Sequence, residues 1–414
     1  MSAGTHPGQA APERARKGPL AGLRVIDIST VMAGPFATLM FADQGADVIK
    51  VEPPEGDIMR LSGPAPRPGM SPIFQHMNRN KRSIVLDLKK PGGVEVLLDL
   101  VRTADAFVYN MRPRAMARLG LGYEAVRAAR TSIVYCGIVG FGEAGPYAGR
   151  PAYDDLVQGA CGIPDIVGRA SGGEPRYVPF AFCDRISGLY AANALLAALL
   201  ERERTGEGAA IEVPMFEASV HFLLVEHLFG ASFVPPVGSA LNARMLEPNR
   251  KPYRTRDGYL CVLPYTTRHW FSLFDLVGRE QWKDDPRFQD FASRREHIDV
   301  LYAMLDDTLA RRTTAEWLAE FERLDLPAVR ANAVAELLHD PHLEATGFFR
   351  AIEQDDGHFL HMASPAQWKA WAPDVAHAAP TLAQDTLGIL REAGYDDARI
   401  DALGQAGVTR AGSA

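Results

Sequence analysis

Apolar runs of strand length alternate with helix-length segments through the first 140 residues, and that alternation restricts the chain to α/β architectures. LRVIDIST (23–30) reads as a buried strand, AGPFATLMFADQGA (33–46) as a helix opened by Pro35, and DVIKVE (47–52) as the next strand, which together make a β-α-β unit. SIVLDL (83–88), an amphipathic helix after Pro91, AFVYN (106–110) and SIVYCGIVG (132–140) continue the pattern. The expected fold is α/β: a Rossmann-like large domain on a mostly parallel sheet. No GxGxxG follows the first strand, so the dinucleotide fingerprint is missing.

A strongly apolar helix is expected over 186–203, then a strand over 208–215 and a helix over 216–230. Near Pro235 the character changes, and the Asp257-Gly258 turn precedes a strand in a segment rich in aromatics and charge. The expected organisation is a disordered tail over 1–19, a large domain over 20–227, a smaller α+β domain over 228–330, and a return to the large domain over 331–414. A net charge of −7 gives no overall basic field, which argues against nucleic acid. The four cysteines, Cys136, Cys161, Cys183 and Cys261, have no ligand or disulfide spacing, so no metal is expected and a reducing compartment fits. No apolar run reaches bilayer length and the opening residues lack an apolar signal core, so the protein is expected in the cytoplasm, off the membrane.

Asp184 stands before the apolar helix in AFCDRISG (181–188), where two roles fit: a cap for the helix, or an ionised carboxylate held by the helix dipole and able to attack a thioester. GFGEAGPY (140–147) is a glycine-rich loop after a strand, which suits a ligand loop or a plain turn. Tyr153, Asp154 and Asp155 fall in the first turn of a helix. Lys81, Arg82, Lys89 and Lys90 surround one strand and could neutralise phosphates or form a solvated rim. His358 and His361 lie three apart on a short strand after Asp356-Gly357, hence on opposite faces, as surface or satisfied core histidines.

Taken together, the stretches 25–57, NKRSIVLDLK (80–89), GFGEAGPY, RPAYDDLVQ (150–158), 184–208 and DPHLEATGFF (340–349) resemble the class III CoA-transferase family, over residues 20 to about 395. That family includes carnitine-CoA and formyl-CoA transferases, with α-methylacyl-CoA racemases as close relatives. The resemblance implies a small domain reached by two linkers and an interlocked homodimer of ring-shaped chains. It implies no permanently bound cofactor, with coenzyme A arriving as the acyl-CoA substrate and a carboxylic acid as its acceptor. It makes Asp184 the nucleophile, forming an acyl-aspartyl anhydride and then an aspartyl-CoA thioester. It carries CoA contacts onto Val31, Met32, Ala33, Leu86, Lys89, Asn110 and Arg118, and puts Tyr153 and Asp154 at the reacting end. Met32 stands where formyl-CoA transferases have an assisting glutamine, and Pro53 where they have a nucleotide-binding arginine, with Arg82 and Arg118 as replacements for it. These two changes argue against formyl-CoA as donor, and because no glycine-run loop to shield the intermediate occurs between Pro235 and Pro252, something else must exclude water.

Two other functions fit the same residues. A 2-methylacyl-CoA racemase would need a histidine where this chain has Tyr153, a side chain that titrates far above neutrality. A non-catalytic CoA-binding protein would use Asp184 only as a cap. Arg185 and Arg150 could each hold the second carboxylate of a dicarboxylic acid, because a guanidinium matches a carboxylate fork.

Overall fold

The computed structural model describes residues 17–354, 357–369, 371 and 377–412. Most of the expected tail and Asp356 lie outside the described residues. Six strands form one parallel sheet: β1 (Arg24–Asp27), β2 (Asp47–Glu52), β3 (Arg82–Val85), β4 (Ala106–Tyr109), β5 (Val134–Val139) and β6 (Ala209–Pro214). Their order is β3-β2-β1-β4-β5-β6. Strands β1 to β5 are buried on both faces, as expected for Val- and Ile-rich strands between helical layers. The order reverses between β1 and β4, so their carboxyl ends flank the crevice where sheets of this kind bind ligands.

Helix α1 (Ala33–Asp43) ends three residues before its expected limit. Gly45 takes φ +96 and its amide, with that of Ala46, closes back on Ala42 and Phe41, a left-handed stop. Helix α2 (Pro72–Asn78) escaped the sequence reading although it carries a start signal: the Ser71 hydroxyl accepts from the Phe74 amide, with proline at the first position. Helix α3 (Pro91–Val101) begins at its proline as expected. The core on this side gathers Ile26, Ile49, Ile84, Leu86, Leu97 and Phe107. The C-terminal segment covers the edge strand β3. The Asp385 carboxylate accepts the Ser83 amide at 2.8 Å, Asp87 N–H donates to the Val408 carbonyl at 2.8 Å, and Thr409 Oγ1 donates to the Val85 carbonyl at 2.6 Å.

The chain divides into two compact units, one of residues 1–154, 181–218 and 348–414, the other of Asp155–Phe180 and Ser219–Gly347. These limits differ from the expected 20–227, 228–330 and 331–414, and local ties explain why. Gln158 Oε1 accepts the Val178 amide at 2.9 Å and closes the 155–180 segment on itself. The His227 carbonyl accepts the Leu241 amide, and Ala331 N–H donates to the Tyr259 carbonyl, which ties both stretches to the second unit. That unit has its own antiparallel sheet of β7 (Tyr253–Arg254), β8 (Tyr259–Val262) and β9 (Ala328–Arg330), and a core of Trp270, Phe274, Phe288, Trp317 and Phe321. Among the described residues no helix is long and apolar enough to cross a membrane.

In the first unit β10 (Phe349–Gln354) and β11 (Gly357–Met362) pair antiparallel. His358 is exposed and His361 fully buried, on opposite faces as their spacing predicts. His361 is not satisfied, however. It packs on Phe359 and His76, and neither ring nitrogen has a hydrogen-bond partner among the described residues. Burial, with the charge of Arg79, pushes its pKa down to about 3, and burial with Arg79 and Arg185 pushes His76 down to about 4. Both imidazoles are neutral in the folded protein, whereas the unfolded chain protonates them below its ordinary pKa of about 6.5. Stability therefore falls as pH drops below about 6.5, down to the folded values. His361→Phe should raise stability by about 1–2 kcal/mol through removal of unpaired buried nitrogens, with a larger gain at pH 5 than at pH 8. Thermal melts at the two pH values check this.

Candidate active site

The crevice between β1 and β4 rests on buried charges. Asp27, closing β1, is fully buried and accepts the Ser29 amide at 3.0 Å, the Thr38 hydroxyl at 2.5 Å and Lys81 Nζ at 3.1 Å. Lys50 Nζ, from β2, donates to the Ser29 carbonyl at 3.0 Å and to Asp57 Oδ2 at 2.9 Å. Glu52 takes both forks of Arg60 at 2.7 Å and the Ser83 hydroxyl at 2.7 Å. Burial opposes ionisation of Asp27, yet Lys81 and Lys50 hold its carboxyl below the usual range; burial likewise pushes Lys81 down to about 8 against the pull of Asp27.

This arrangement corrects the expectation of a phosphate-binding cluster. Lys81 is sealed inside. Arg82 opens β3, at the amino end of the strand, and is paired with Asp47 at 2.6 Å and Glu392 at 2.6 Å, so it replaces no nucleotide-binding arginine. Lys90 Nζ donates to the carbonyls of Ala406 and Gly407. Lys89 and Arg118 remain exposed, and no ion pair to either is present among the described residues. Lys89 follows β3 by four residues, and Arg118 ends the helix Pro113–Arg118 that comes after β4.

Val31, Met32 and Ala33 form the turn from β1 into α1. Asn110, just after β4, grips it: Asn110 Oδ1 accepts the Thr30 amide at 2.9 Å and Nδ2 donates to the Thr30 carbonyl at 2.7 Å. The Leu86 side chain is buried in the core, so any ligand contact there belongs to its backbone. The loop GFGEAGPY is held by the chain's own acids, with Glu217 accepting the Gly142 amide and Glu212 the Glu143 amide, each at 3.0 Å. Those two amides are occupied, which favours the plain-turn reading.

Asp184 sits differently from expectation. The long helix starts at Phe182 and runs to Thr205, so Asp184 lies inside its first turn and Ala181 is the flanking residue, with no side-chain cap. Asp184 is therefore not the cap. That service comes from Asp154, whose Oδ1 accepts the Asp184 amide at 2.9 Å. Burial, and then the charge of Asp154, push the Asp184 pKa up to about 7, against the opposing pull of Arg185. One turn further on the same face is Gly188, where an added Cβ would stand 2.8 Å from the Ala33 carbonyl and 3.0 Å from the Phe36 ring. This close approach sets the Asp184 helix against the first turn of α1.

Arg185 lies over the Phe36 ring at 5.5 Å, and among the described residues no carboxylate pairs with it. Arg150 is exposed and stacks on Tyr147 at 4.2 Å. Tyr153 is 70% exposed, and Asp154 opens the helix Asp154–Cys161. The sequence reading missed Lys50, Asp57 and Gly188. The available signal was charge inside apolar strands, as in DVIKVE, which in a doubly covered sheet requires a buried partner.

Chemically, a half-buried carboxylate of pKa about 7 is both basic enough to attack a carbonyl and ionised in useful amount at neutral pH. Its raised pKa penalises the charge in the folded state. The penalty is absent below the unfolded pKa near 3.8 and complete above about 7. Asp184→Asn should therefore stabilise the protein at pH 8 by about 2 kcal/mol, after discounting for residual solvent, and by little at pH 4.5. Denaturant unfolding at both pH values checks the sign.

Comparison with known proteins bears on this geometry. The family described as CoA-transferase family III matches residues 20–386. A succinate–glutarate CoA-transferase of Agrobacterium fabrum is 36% identical, covering 83% of this chain and 87% of its own. A succinyl-CoA:glutarate CoA-transferase of Mus musculus is 31% identical over 94% of this chain and 90% of its own. The crystal structure of a CaiB/BaiF family protein from Brucella suis superposes with a TM-score of 0.77 at 31% identity, covering 91% of this chain and 99% of that one. The chain belongs to CoA-transferase family III and is an enzyme of the CoA-transferase class.

Proposed function

We propose that this enzyme moves CoA from an acyl-CoA donor to a dicarboxylic acid through covalent intermediates on Asp184. The observation that carries the reading is Asp184 itself: a carboxylate of pKa about 7 in the first turn of a helix packed against the crevice-side turn of α1. One Asp184 oxygen attacks the thioester carbonyl, the carbon–sulfur bond breaks, and CoA leaves as thiolate. The thiolate attacks the aspartyl carbonyl of the resulting anhydride, which expels the donor acid as carboxylate and leaves an aspartyl-CoA thioester. The acceptor carboxylate then attacks that thioester carbonyl to give a second anhydride and free thiolate. Thiolate attack on its acceptor carbonyl releases the new acyl-CoA and regenerates the Asp184 carboxylate.

No proton is gained or lost in this sequence, so it needs no general base. That agrees with the charged neighbours that act on Asp184, which are Asp154 and Arg185 rather than a histidine, and it disfavours racemisation, which needs an acid/base pair. Lys89 and Arg118 supply positive charge for the CoA phosphates, and residues 31–33 with Asn110 hold the thioester arm. Tyr153 and Asp154 border the reacting end. Arg185, which forms no ion pair among the described residues, takes the second carboxylate of the acceptor, in keeping with the succinate and glutarate in the relatives' names. The working enzyme is a cytoplasmic, interlocked homodimer with no resident cofactor. Leu189, Leu196 and Leu200 support the dimer: they form an exposed apolar stripe at seven- and four-residue spacing along the long helix.

Intact mass spectrometry with succinyl-CoA, glutaryl-CoA and acetyl-CoA should give a CoA adduct, or a hydroxamate after hydroxylamine, that maps to Asp184 and is lost in Asp184→Ala. No adduct with any donor, together with deuterium uptake at the α-carbon of a 2-methylacyl-CoA, would sink the transferase route. The acid limb of kcat/KM should fall below a pKa of about 7 rather than near 4, since only the carboxylate form of the free enzyme attacks. Arg185→Met should raise KM for succinate by about tenfold or more, the loss of a charged hydrogen-bonded pair, and leave a monocarboxylate such as butyrate unaffected.

A further inference from the structure

Val31 adopts φ +69, the left-handed region in which a β-branched side chain crowds the backbone. A residue keeps such a conformation only where its surroundings over-determine it. Here side chains hold the backbone at and just before position 31. The Ser29 amide is fixed by Asp27 Oδ1 at 3.0 Å, the Ser29 carbonyl by Lys50 Nζ at 3.0 Å, and the Thr30 amide and carbonyl by Asn110. The Val31 amide donates to Asp57 Oδ1 at 3.3 Å. The same oxygen caps the short 3-10 turn Ile58–Leu61 through the Met59 amide at 3.0 Å, while Asp57 Oδ2 holds Lys50 at 2.9 Å. Both members of that ion pair are fully buried.

The segment so restrained leads into an α1 that begins without side-chain help: Met32 forms no cap bond and the first turn contains no acid. A glycine at position 31 would take φ +69 without crowding. The chain has instead a valine and a buried ion pair that forces it into place, which is what preorganisation of a ligand loop requires, since a loop already ordered costs less to order on binding.

We propose that Lys50 and Asp57 are positioning residues for the acyl-CoA, their ion pair acting as a strut that fixes the Val31 turn against the crevice and thereby sets CoA affinity. The proposal rests on the reading that residues 31–33 hold CoA. Neither residue touches substrate; both act through the backbone of Ser29 and Val31.

The test uses full-length Val31→Gly and Asp57→Asn, with free CoA titrated by calorimetry, steady-state constants for both substrates, and thermal melts. Val31→Gly should melt within about 3 °C of the parent or above it, because left-handed strain is relieved. It should nevertheless bind CoA about fivefold or more weakly, because glycine gives the turn backbone freedom that its hydrogen bonds alone do not remove and that is lost on binding. Asp57→Asn should raise the acyl-CoA KM about tenfold and leave the acceptor KM and kcat within about twofold, as expected of a change confined to preorganisation. If Asp57→Asn does not fold, Val31→Gly decides the question. Parent-like CoA affinity in a folded Val31→Gly, or a parallel loss of kcat, both KM values and melting temperature, would overturn the strut while leaving the CoA reading intact. A wild-type protein that binds no CoA would instead overturn the CoA reading, and the strut with it.

Discussion

Three ion pairs buried at the carboxyl ends of β1 and β2 organise everything the crevice presents: Asp27 with Lys81, Lys50 with Asp57, and Glu52 with Arg60. Pairs of this kind add little net stability, because desolvation offsets most of their attraction; losing one partner, however, leaves an uncompensated interior charge. Their value is in specifying one arrangement. Lys81 fixes Asp27 to Thr38 and the Pro35 carbonyl of α1, Lys50 fixes the turn before α1, and Arg60 reaches the carbonyls of Gly69 and Pro380. One lattice thus joins the first β-α turn, the segment after β2 and the C-terminal return of the chain.

Asp184 obeys the opposite rule. Instead of pairing this carboxylate with a buried cation, the fold puts it beside Asp154 and lets the charge of Arg185 compensate only in part. The result is a carboxylate held in a state the folded protein tolerates rather than favours. Such tension between stability and reactivity is common where a side chain must change its bonding during turnover. Close packing keeps it in place: Gly188 allows the long helix to approach α1 within a distance that any larger residue would prevent.

The parallel sheet was legible because its strands are short apolar runs bounded by turn residues, and pattern alone separates them from helices. The buried lysines were not. Charge in a sequence reads as surface, and Lys81 meets its carboxylate 54 residues away, across a sheet that does not exist until the chain has folded. The start of the long helix was hidden for the same reason, since its capping acid, Asp154, lies 30 residues upstream and local signals at Ala181 are silent. Unit limits were blurred by Gln158, whose amide closes a segment that composition does not distinguish from its neighbours. The contacts assigned to Val31, Asn110 and Arg118 came from family resemblance, because spacing alone does not bring residues 31 and 110 together.

The covered edge of the sheet has a consequence for biosynthesis. β3 is complete as a strand within the first 85 residues, but the segment that shields its outer side is drawn from residues 385 to 409. A ribosome therefore carries synthesis on to residue 385 and beyond before this edge can be sealed, and through that interval an apolar strand with open amides is available to other chains. Until those late residues arrive, the edge is a place where pairing with another chain competes with correct folding.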